Sequence, residues 1–238
     1  TPVMEEHFFS IQPDQINTDQ FSLSESESAH YTRSLRGNPG GIIWLLDGHG
    51  MAYEGQVTTT QNQVSGSILQ SIPNYGESEY AIHLVIGLIK GSRMDMVMEK
   101  ATELGVKSIH PILADRSVKN KLNMERAQRI IISAAKQAGR SLFPTIHEPI
   151  QLKDWLQSHE KDKKLLGHMT GTLSLANALG NEKNEVYVII GPEGDFSTAE
   201  IEAMTHANVE VASLGPRRLR SESAAVAAIA NLNQLMEG

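Results

Sequence analysis

The sequence predicts an α/β protein in which a small β-barrel precedes a mostly parallel sheet covered by helices. From Tyr80 onward, short apolar runs alternate with segments of helical periodicity, the pattern of parallel strands joined by helical crossovers. Residues 1–72 instead hold short strand-like runs rich in Ser, Gln, Asn and Gly, without a sustained helical period. We therefore predict one domain at 1–72 and a second at 73–238, with 72–78 (IPNYGES) as the linker.

The first domain is predicted to contain a β-hairpin. Its two strands lie in GIIWLLDGHG and MAYEGQVTTT, which meet at an Asp-Gly-His-Gly turn. A further strand is predicted for SGSILQSI. Short strands separated by turns are typical of a small barrel.

The second domain begins with a predicted strand in AIHLVIGLI, a continuous apolar run that suits burial on both faces. A helix follows in SRMDMVMEKATELG, with Gly105 as its C-cap and an apolar stripe formed by Met94, Val97, Met98, Ala101 and Leu104. The next strand is predicted in KSIHPILA and the next helix in MERAQRIIISAAKQAG, which ends at Gly139.

The remaining elements continue this alternation. A short helix (LKDWLQSH), a brief strand (KLLGHM) and a small-residue helix (TLSLANALG) come first. A strand (VYVII), a helix (TAEIEAMTHA), a strand (VEVASLG) and a terminal helix (SAAVAAIANLNQLM) complete the chain.

The composition excludes several classes of protein. The 238 residues are 40% hydrophobic and include no cysteine, so disulfides, thiolate metal sites and cysteine nucleophiles are excluded. No apolar run approaches the roughly 20 residues that span a bilayer, and no histidine spacing such as H-E-x-x-H predicts a metal site. We expect a cytoplasmic protein without a metal ion and without contact with a membrane.

Charge is distributed unevenly along the chain. The formal net charge is −7, which argues against indiscriminate coating of nucleic acid. Residues 87–140, however, hold eleven cations and five acids, a net +6, whereas residues 1–72 hold two cations and eight acids, a net −6. The basic segment fits either an RNA-backbone surface or a set of solvated helix faces, and charge alone favours neither.

Glycine-rich loops follow predicted strands at three places, where ligands of open α/β sheets collect. The loops are GPEGDFSTAE (191–200), LGPRRLRSES (214–223) and LLGHMTG (165–171). In the first, Ser197 and Glu200 form a capping box that specifies a helix start. It carries Glu193 and Asp195 but no lysine, and it matches no phosphate-loop motif, which favours a neutral or cationic ligand.

The second loop supplies positive charge through Arg217, Arg218 and Arg220. Arginine clusters commonly bind phosphate or a planar acceptor through paired hydrogen bonds. From the residues alone, a tight turn without a ligand and a solvated arginine loop remain the alternatives for these two loops. Together, the loops suit a cationic methyl donor beside an RNA acceptor.

Four segments, in order, resemble the ribosomal RNA small subunit methyltransferase E family. They are HYTRSLRGNPGGIIWLLDGHG, KGSRMDMVMEKATELGVKSIHPILADRS, SAAKQAGRSLFPTI and the pair GPEGDFSTAEI with LGPRRLRSESAAVAAIA. The resemblance covers nearly the whole chain. It implies an N-terminal PUA-like β-barrel that binds RNA and a C-terminal SPOUT domain, an α/β fold tied in a deep trefoil knot.

The resemblance also implies a homodimer that binds S-adenosylmethionine in the knot loops and methylates N3 of a uridine in small-subunit (16S) ribosomal RNA. The positions that match the family's cofactor loops are Leu166, Gly167, His168, Gly191, Pro192, Glu193, Gly194, Leu214, Gly215, Leu219 and Arg220. Within these loops, glycines allow the backbone to approach the cofactor closely.

The reaction requires the uridine N3 proton to leave. We expect Arg220 to fix the uracil edge and to stabilise negative charge that develops on its oxygen, with Glu222 as the candidate base and solvent as the alternative. The cations that we expect to contact RNA phosphate are Arg33, Arg36, Lys90, Arg93, Arg116, Lys119, Lys121, Arg140, Arg217 and Arg218.

The chain departs from the family pattern at several positions. Asp195 replaces a glycine, Arg218 replaces an aliphatic residue, Ser223 replaces a threonine, and His7 stands where an arginine is often found. These departures bear on substrate binding more than on the class of reaction. The alternative functions are methylation of another RNA site, non-catalytic RNA binding in ribosome assembly and, third, a nucleotide-dependent enzyme, which the missing phosphate-loop lysine disfavours.

Overall fold

The computed structural model describes residues 7–117 and 121–237, which form two compact units. Unit 1 comprises the described residues up to Glu77 together with Ile132–Phe143. Unit 2 comprises Ser78–Ile131 and the described residues from Pro144 onward. The division follows residue 77, so that a later segment of the chain, 132–143, belongs to the N-terminal unit. No pattern in the sequence predicted that assignment.

Unit 1 is built on a curled, six-stranded sheet. Its strands are β1 (Phe8–Ser10), β2 (Ile16–Asn17), β3 (Gln20–Ser22), β4 (Ile42–Leu46), β5 (Met51–Thr59) and β6 (Ser65–Pro73). Their order is β1-β4-β5-β6-β3-β2, and all pairs are antiparallel except β1 with β4. The sheet is a half-barrel, and the predicted hairpin of β4 and β5 and the predicted strand β6 are confirmed.

Two expectations for unit 1 need correction. Residues 25–34 are helical, as helix α1 (Glu25–Ala29) followed by a π-helical turn (His30–Ser34), although the sequence shows no helical period there. A local cap explains this helix, because the Ser24 side chain accepts a hydrogen bond from the Glu27 backbone N–H. The expected linker also starts too early, since Ile72 and Pro73 still pair with β5.

Unit 2 is built on an eight-stranded sheet in which all pairs are parallel. Its strands are β7 (Ala81–Gly87), β8 (Ser108–Leu113), β9 (Thr145–Ile146), β10 (Ile150–Gln151), β11 (Lys164–Gly167), β12 (Leu173–Ser174), β13 (Glu185–Ile190) and β14 (Val209–Ser213). The strand order is β10-β8-β7-β13-β11-β14-β12, with β9 also paired to β8. The predicted parallel sheet is confirmed, but the two-residue strands β9, β10 and β12 were not predicted.

Helices follow the strands as the sequence predicts. They are α2 (Gly91–Glu103), α3 (Met124–Gln137), α4 (Leu152–Ser158), α5 (Leu175–Leu179), α6 (Thr198–His206) and α7 (Ser221–Glu237). The predicted C-terminal glycines Gly105 and Gly139 have φ of +90° and +66°, the left-handed conformation that ends helices. None of the helices in the described ranges is long and apolar enough to span a membrane. The deep trefoil knot stays a prediction.

Candidate active site

Three loops of unit 2 converge on one cavity. The strands β13, β11 and β14 are neighbours in the parallel sheet, with Gly167 paired to both Ile190 and Ala212. Their carboxyl ends therefore lie at the same edge, and so do the loops that follow them. The cavity there has a volume of about 490 Å³ and is lined by Arg93, Gly167, His168, Met169, Ile190, Gly191, Pro192, Glu193, Asp195, Arg218, Leu219, Arg220, Ser221 and Ala224.

The loop after β13 is fixed at both ends by packing and hydrogen bonds. A methyl group placed on Gly87, at the end of β7, would lie 2.4 Å from Cδ of Pro192, so the loop packs directly on the neighbouring strand. At its other end, the predicted capping box is present: Ser197 Oγ accepts from the Glu200 N–H, and Glu200 Oε2 accepts from the Ser197 N–H. The cavity wall is therefore preformed on this side.

Asp195 occupies a position that favours glycine. Its φ is +61°, in the left-handed region, which costs a residue with a side chain more than it costs glycine. Its carboxylate offsets this cost through two hydrogen bonds. Oδ1 accepts from the Phe196 N–H at 2.8 Å, and Oδ2 lies 3.0 Å from Nε2 of His168, in the loop after β11. The departure from the family glycine thus joins two loops of the cavity.

The loop after β14 contributes to the same cavity. Its glycine, Gly215, has φ +114°, and Leu214 packs beside Gly167, where an added methyl group would lie 2.9 Å from its Cδ1. At the start of α7, Ser221 Oγ donates a hydrogen bond of 2.7 Å to the Gly191 carbonyl. This bond ties the arginine-bearing loop to the loop after β13.

Arginine side chains lie at this end of the cavity. Arg218 and Arg220 line it and are exposed, while Arg217 is exposed and lies outside the lining. Arg93 of α2 also lines the cavity and forms an ion pair of 3.1 Å with Glu193. Arg116 donates a hydrogen bond of 3.3 Å to the Gly194 carbonyl. Both side chains therefore support the loop after β13, a contact that the sequence did not predict.

Most of the expected cofactor positions line the cavity, whereas Leu166, Gly194, Leu214 and Gly215 are outside its lining. Seven line it: Gly167, His168, Gly191, Pro192, Glu193, Leu219 and Arg220. Leu166 is fully buried in the core of unit 2, and Gly194 and Gly215 are exposed. The candidate base Glu222 is buried and is outside the lining, and its Oε2 has no hydrogen-bond partner within the described parts of the chain.

The expected RNA contacts divide by exposure. Arg33 and Arg36 are exposed in unit 1, and Lys90 and Lys121 are exposed in unit 2, whereas Lys119 lies outside the described residues. The structure corrects the expectation for Arg140, which is 2% exposed. Its guanidinium donates two hydrogen bonds to the Glu77 carboxylate, at 3.0 and 2.9 Å, so it holds unit 1 together instead of facing phosphate.

Sequence reasoning missed part of the lining, namely Met169, Ile190, Asp195, Ser221 and Ala224. Asp195 carried a signal, because it departs from the family pattern inside a predicted cofactor loop. Ser221 and Ala224 carried none, since only the tertiary structure brings the start of α7 to Gly191. Within the described ranges, no group of three or more His, Asp or Glu side chains is arranged to hold a metal ion.

Comparison with known proteins gives consistent matches. The family described as RNA methyltransferase domain matches residues 76–233. The chain is 30% identical, over 92% of its length and 91% of the relative's, to ribosomal RNA small subunit methyltransferase E of Buchnera aphidicola subsp. Schizaphis graminum. It is 27% identical to the protein of the same name from Bacillus subtilis, over 99% of both chains.

Two solved structures match nearly the whole chain. One is a ribosomal RNA small subunit methyltransferase E from Neisseria gonorrhoeae bound to S-adenosyl methionine, with a TM-score of 0.86, 28% identity and coverage of 97% of this chain and 98% of that one. The other is a putative methyltransferase from Legionella pneumophila in complex with the same cofactor, with a TM-score of 0.84, 30% identity and coverage of 96% and 97%. These matches confirm the predicted α/β class with an N-terminal β domain.

Proposed function

Because this chain belongs to the ribosomal RNA small subunit methyltransferase E family, we propose that it transfers the methyl group of S-adenosylmethionine to N3 of a uridine in small-subunit (16S) ribosomal RNA. One observation carries this proposal. Three loops at the ends of adjacent parallel strands enclose a cavity with glycines on its walls and arginines at its rim. That arrangement combines a pocket for a nucleoside cofactor with donors for an RNA base.

The residues of the cavity fit S-adenosylmethionine. Its volume of about 490 Å³ lies in the range of small-molecule sites. Gly167 and Gly191 line the cavity, and the loops pack closely around them, since a methyl group on Gly191 would lie 3.2 Å from Oδ1 of Asp195. We propose that backbone N–H and C=O groups of these loops hydrogen-bond to the adenosine. The side chains of His168, Pro192, Glu193 and Leu219 would surround it.

Arg220 is the proposed catalytic residue. S-adenosylmethionine, when bound, supplies an electrophilic methyl group. Arg220 is exposed at the cavity wall, directly before α7, where its guanidinium can donate hydrogen bonds to a uracil oxygen and stabilise the negative charge that develops there. Because Glu222 is buried and outside the lining, we propose that solvent water accepts the proton from uridine N3.

RNA contacts are proposed for the exposed cations of each unit. From the expected set, these are Lys90, Arg93, Arg116, Lys121, Arg217 and Arg218 in unit 2 and Arg33 and Arg36 in unit 1. Contacts of this kind position the backbone, whereas the uridine itself has to be presented unpaired or flipped from its stack. A homodimer, as the family resemblance implies, and a cytoplasmic location, as the composition favours, are part of the same proposal.

The decisive experiment is nucleoside analysis. The purified chain is incubated with isotopically labelled S-adenosylmethionine and small ribosomal subunits or their RNA, and the digested nucleosides are identified by chromatography and mass spectrometry. Labelled N3-methyluridine is the expected product. A labelled nucleoside of another kind would show a different target, and absence of both transfer and cofactor binding would show a non-catalytic RNA-binding protein.

A further inference from the structure

We propose that Asp195, oriented by His168, makes the cavity select the cationic methyl donor over the neutral product S-adenosylhomocysteine. This inference rests on the proposed function and concerns the same cavity. It assigns a specificity-determining role to a residue at which this chain departs from its family.

The loop holds the Asp195 carboxylate in one orientation. A backbone φ of +61° is uncommon for a residue other than glycine, although aspartate tolerates it better than most. The hydrogen bond from the Phe196 N–H to Oδ1 fixes the side chain, whose exposed fraction is 44%. The carboxylate is thus both ordered and open to the cavity that it lines.

Hydrogen bonding indicates that His168 is neutral. The backbone N–H of Thr170 donates to Nδ1 of His168 over 3.2 Å, and the Thr170 hydroxyl, 2.8 Å from the same nitrogen, can donate to it as well, so Nδ1 acts as the acceptor. The proton of the imidazole then resides on Nε2, which donates to Asp195 Oδ2 over 3.0 Å. The pair therefore carries one negative charge, and the histidine orients this charge without neutralising it.

The other carboxylate of the lining is compensated. Glu193 forms its ion pair with Arg93, at 3.1 Å. Arg218 and Arg220 lie in the loop that follows β14, and within the described residues neither forms an ion pair with Asp195. Among the described lining residues, Asp195 is therefore the carboxylate without a cationic partner in the structure.

The two ligands differ in the charge at their sulfur atom. The sulfonium of S-adenosylmethionine carries a permanent positive charge, whereas the thioether of S-adenosylhomocysteine is neutral. Contacts with the adenosine and the amino-acid part are common to both. An uncompensated carboxylate in a partly desolvated cavity therefore attracts the charge of S-adenosylmethionine and has no such attraction for S-adenosylhomocysteine. Product release is thereby favoured after each transfer.

Calorimetric titration of the full chain with each ligand tests this role. The variants are Asp195→Asn, which keeps a hydrogen-bonding side chain that tolerates positive φ, and Asp195→Gly, which suits the backbone and removes the carboxylate. Glu202→Gln, at an exposed position of α6 outside the cavity, is the matched control. In both Asp195 variants we expect the preference for the donor to fall by about threefold or more, and in the control we expect no change.

The ratio of the two dissociation constants distinguishes an effect of the Asp195 charge from an effect on the structure of the loop. If both ligands weaken equally in the Asp195 variants, the residue only shapes the loop, and the inference is wrong. An unchanged ratio with unchanged affinities would overturn it as well. These outcomes leave the proposed function intact, because the wild-type chain still binds both ligands. Binding of neither ligand by the wild-type chain would overturn both proposals.

Discussion

The indole N–H of Trp155 donates a hydrogen bond to Nδ1 of His110, with 3.3 Å between the two nitrogens. Because an indole nitrogen can only donate, the proton of His110 resides on Nε2, which donates to Ser108 Oγ at 2.7 Å. The Ser108 hydroxyl then donates to Nδ1 of His83 at 2.6 Å, and Nε2 of His83 donates to Glu185 at 2.9 Å. This chain of bonds in unit 2 requires both histidines to be neutral.

Unit 2 should therefore lose stability in mild acid. Burial, followed by the neighbouring His147, His159 and His83, lowers the pKa of His110 to about 3 from 6.5. The unfolded state consequently binds more protons between these values, and the free energy of unfolding falls as the pH drops through this window. For His110 alone the loss reaches about 2 kcal/mol at about pH 5.

Urea unfolding at several pH values measures this effect. In His110→Gln, where an amide can accept from Trp155 and donate to Ser108, we expect lower stability at neutral pH but a shallower decline in acid. His206→Gln, at an exposed position of α6, should keep the wild-type slope. Equal slopes in all three proteins would show that the histidine chain does not control acid stability.

Replacing Arg220 separates chemistry from cofactor binding. In Arg220→Ala the donors for the uracil oxygen are lost, and we expect the methylation rate to fall by about two to three orders of magnitude. The affinity for S-adenosylmethionine should persist, because the glycine loops remain. Single-turnover methylation and calorimetry measure the two quantities. The control is Arg129→Ala, on the exposed surface of α3. Full turnover by Arg220→Ala would reject the catalytic assignment.

Two glycines at the ends of β7 and β11, the strands on either side of β13, should respond differently to the same substitution. In Gly87→Ala the added methyl group meets the backbone nitrogen and the ring of Pro192, at 2.5 and 2.4 Å, which have little freedom to move. We expect a loss of about 1 to 3 kcal/mol and weaker cofactor binding. In Gly167→Ala the group meets the ends of the flexible Leu214 and Ile190 side chains, at 2.9 and 3.0 Å.

Thermal unfolding and calorimetry compare the two variants. Gly167→Ala should lose less stability than Gly87→Ala, because leucine and isoleucine side chains can rotate away from the added methyl group. A smaller loss in Gly87→Ala than in Gly167→Ala would contradict the close packing of Pro192 on β7.

Burial should decide the cost of breaking two similar ion pairs. Arg140 binds Glu77 through Nε and Nη2 and is almost fully buried, whereas Arg126 binds Asp95 through the same two atoms on an exposed surface. Arg140→Met leaves a buried carboxylate without this partner, so we expect a loss of about 3 to 5 kcal/mol. Arg126→Met should cost far less, because water solvates both of its charges. Denaturant unfolding curves of the two variants provide the comparison, and equal losses would contradict it.

The sequence alone determined those features that depend on neighbouring residues. The strand–helix alternation, the hairpin of β4 and β5, and the capping box of Ser197 and Glu200 were readable because periodicity and caps act over a few residues. The glycine loops were also readable, and the topology of a parallel sheet predicts that such loops gather at one edge. The family resemblance added the reaction class.

Only the tertiary structure decided which distant groups meet. In the sequence, Arg140 belongs to a basic segment suited to RNA. Folding brings it within 2.9 Å of Glu77, which lies 63 positions earlier in the chain, and buries both side chains. Arg93 similarly pairs with Glu193, and Asp195 joins His168 across two loops. A charged side chain can contact solvent, RNA or another charged side chain. Which of these it contacts depends on long-range packing, which local sequence patterns do not encode.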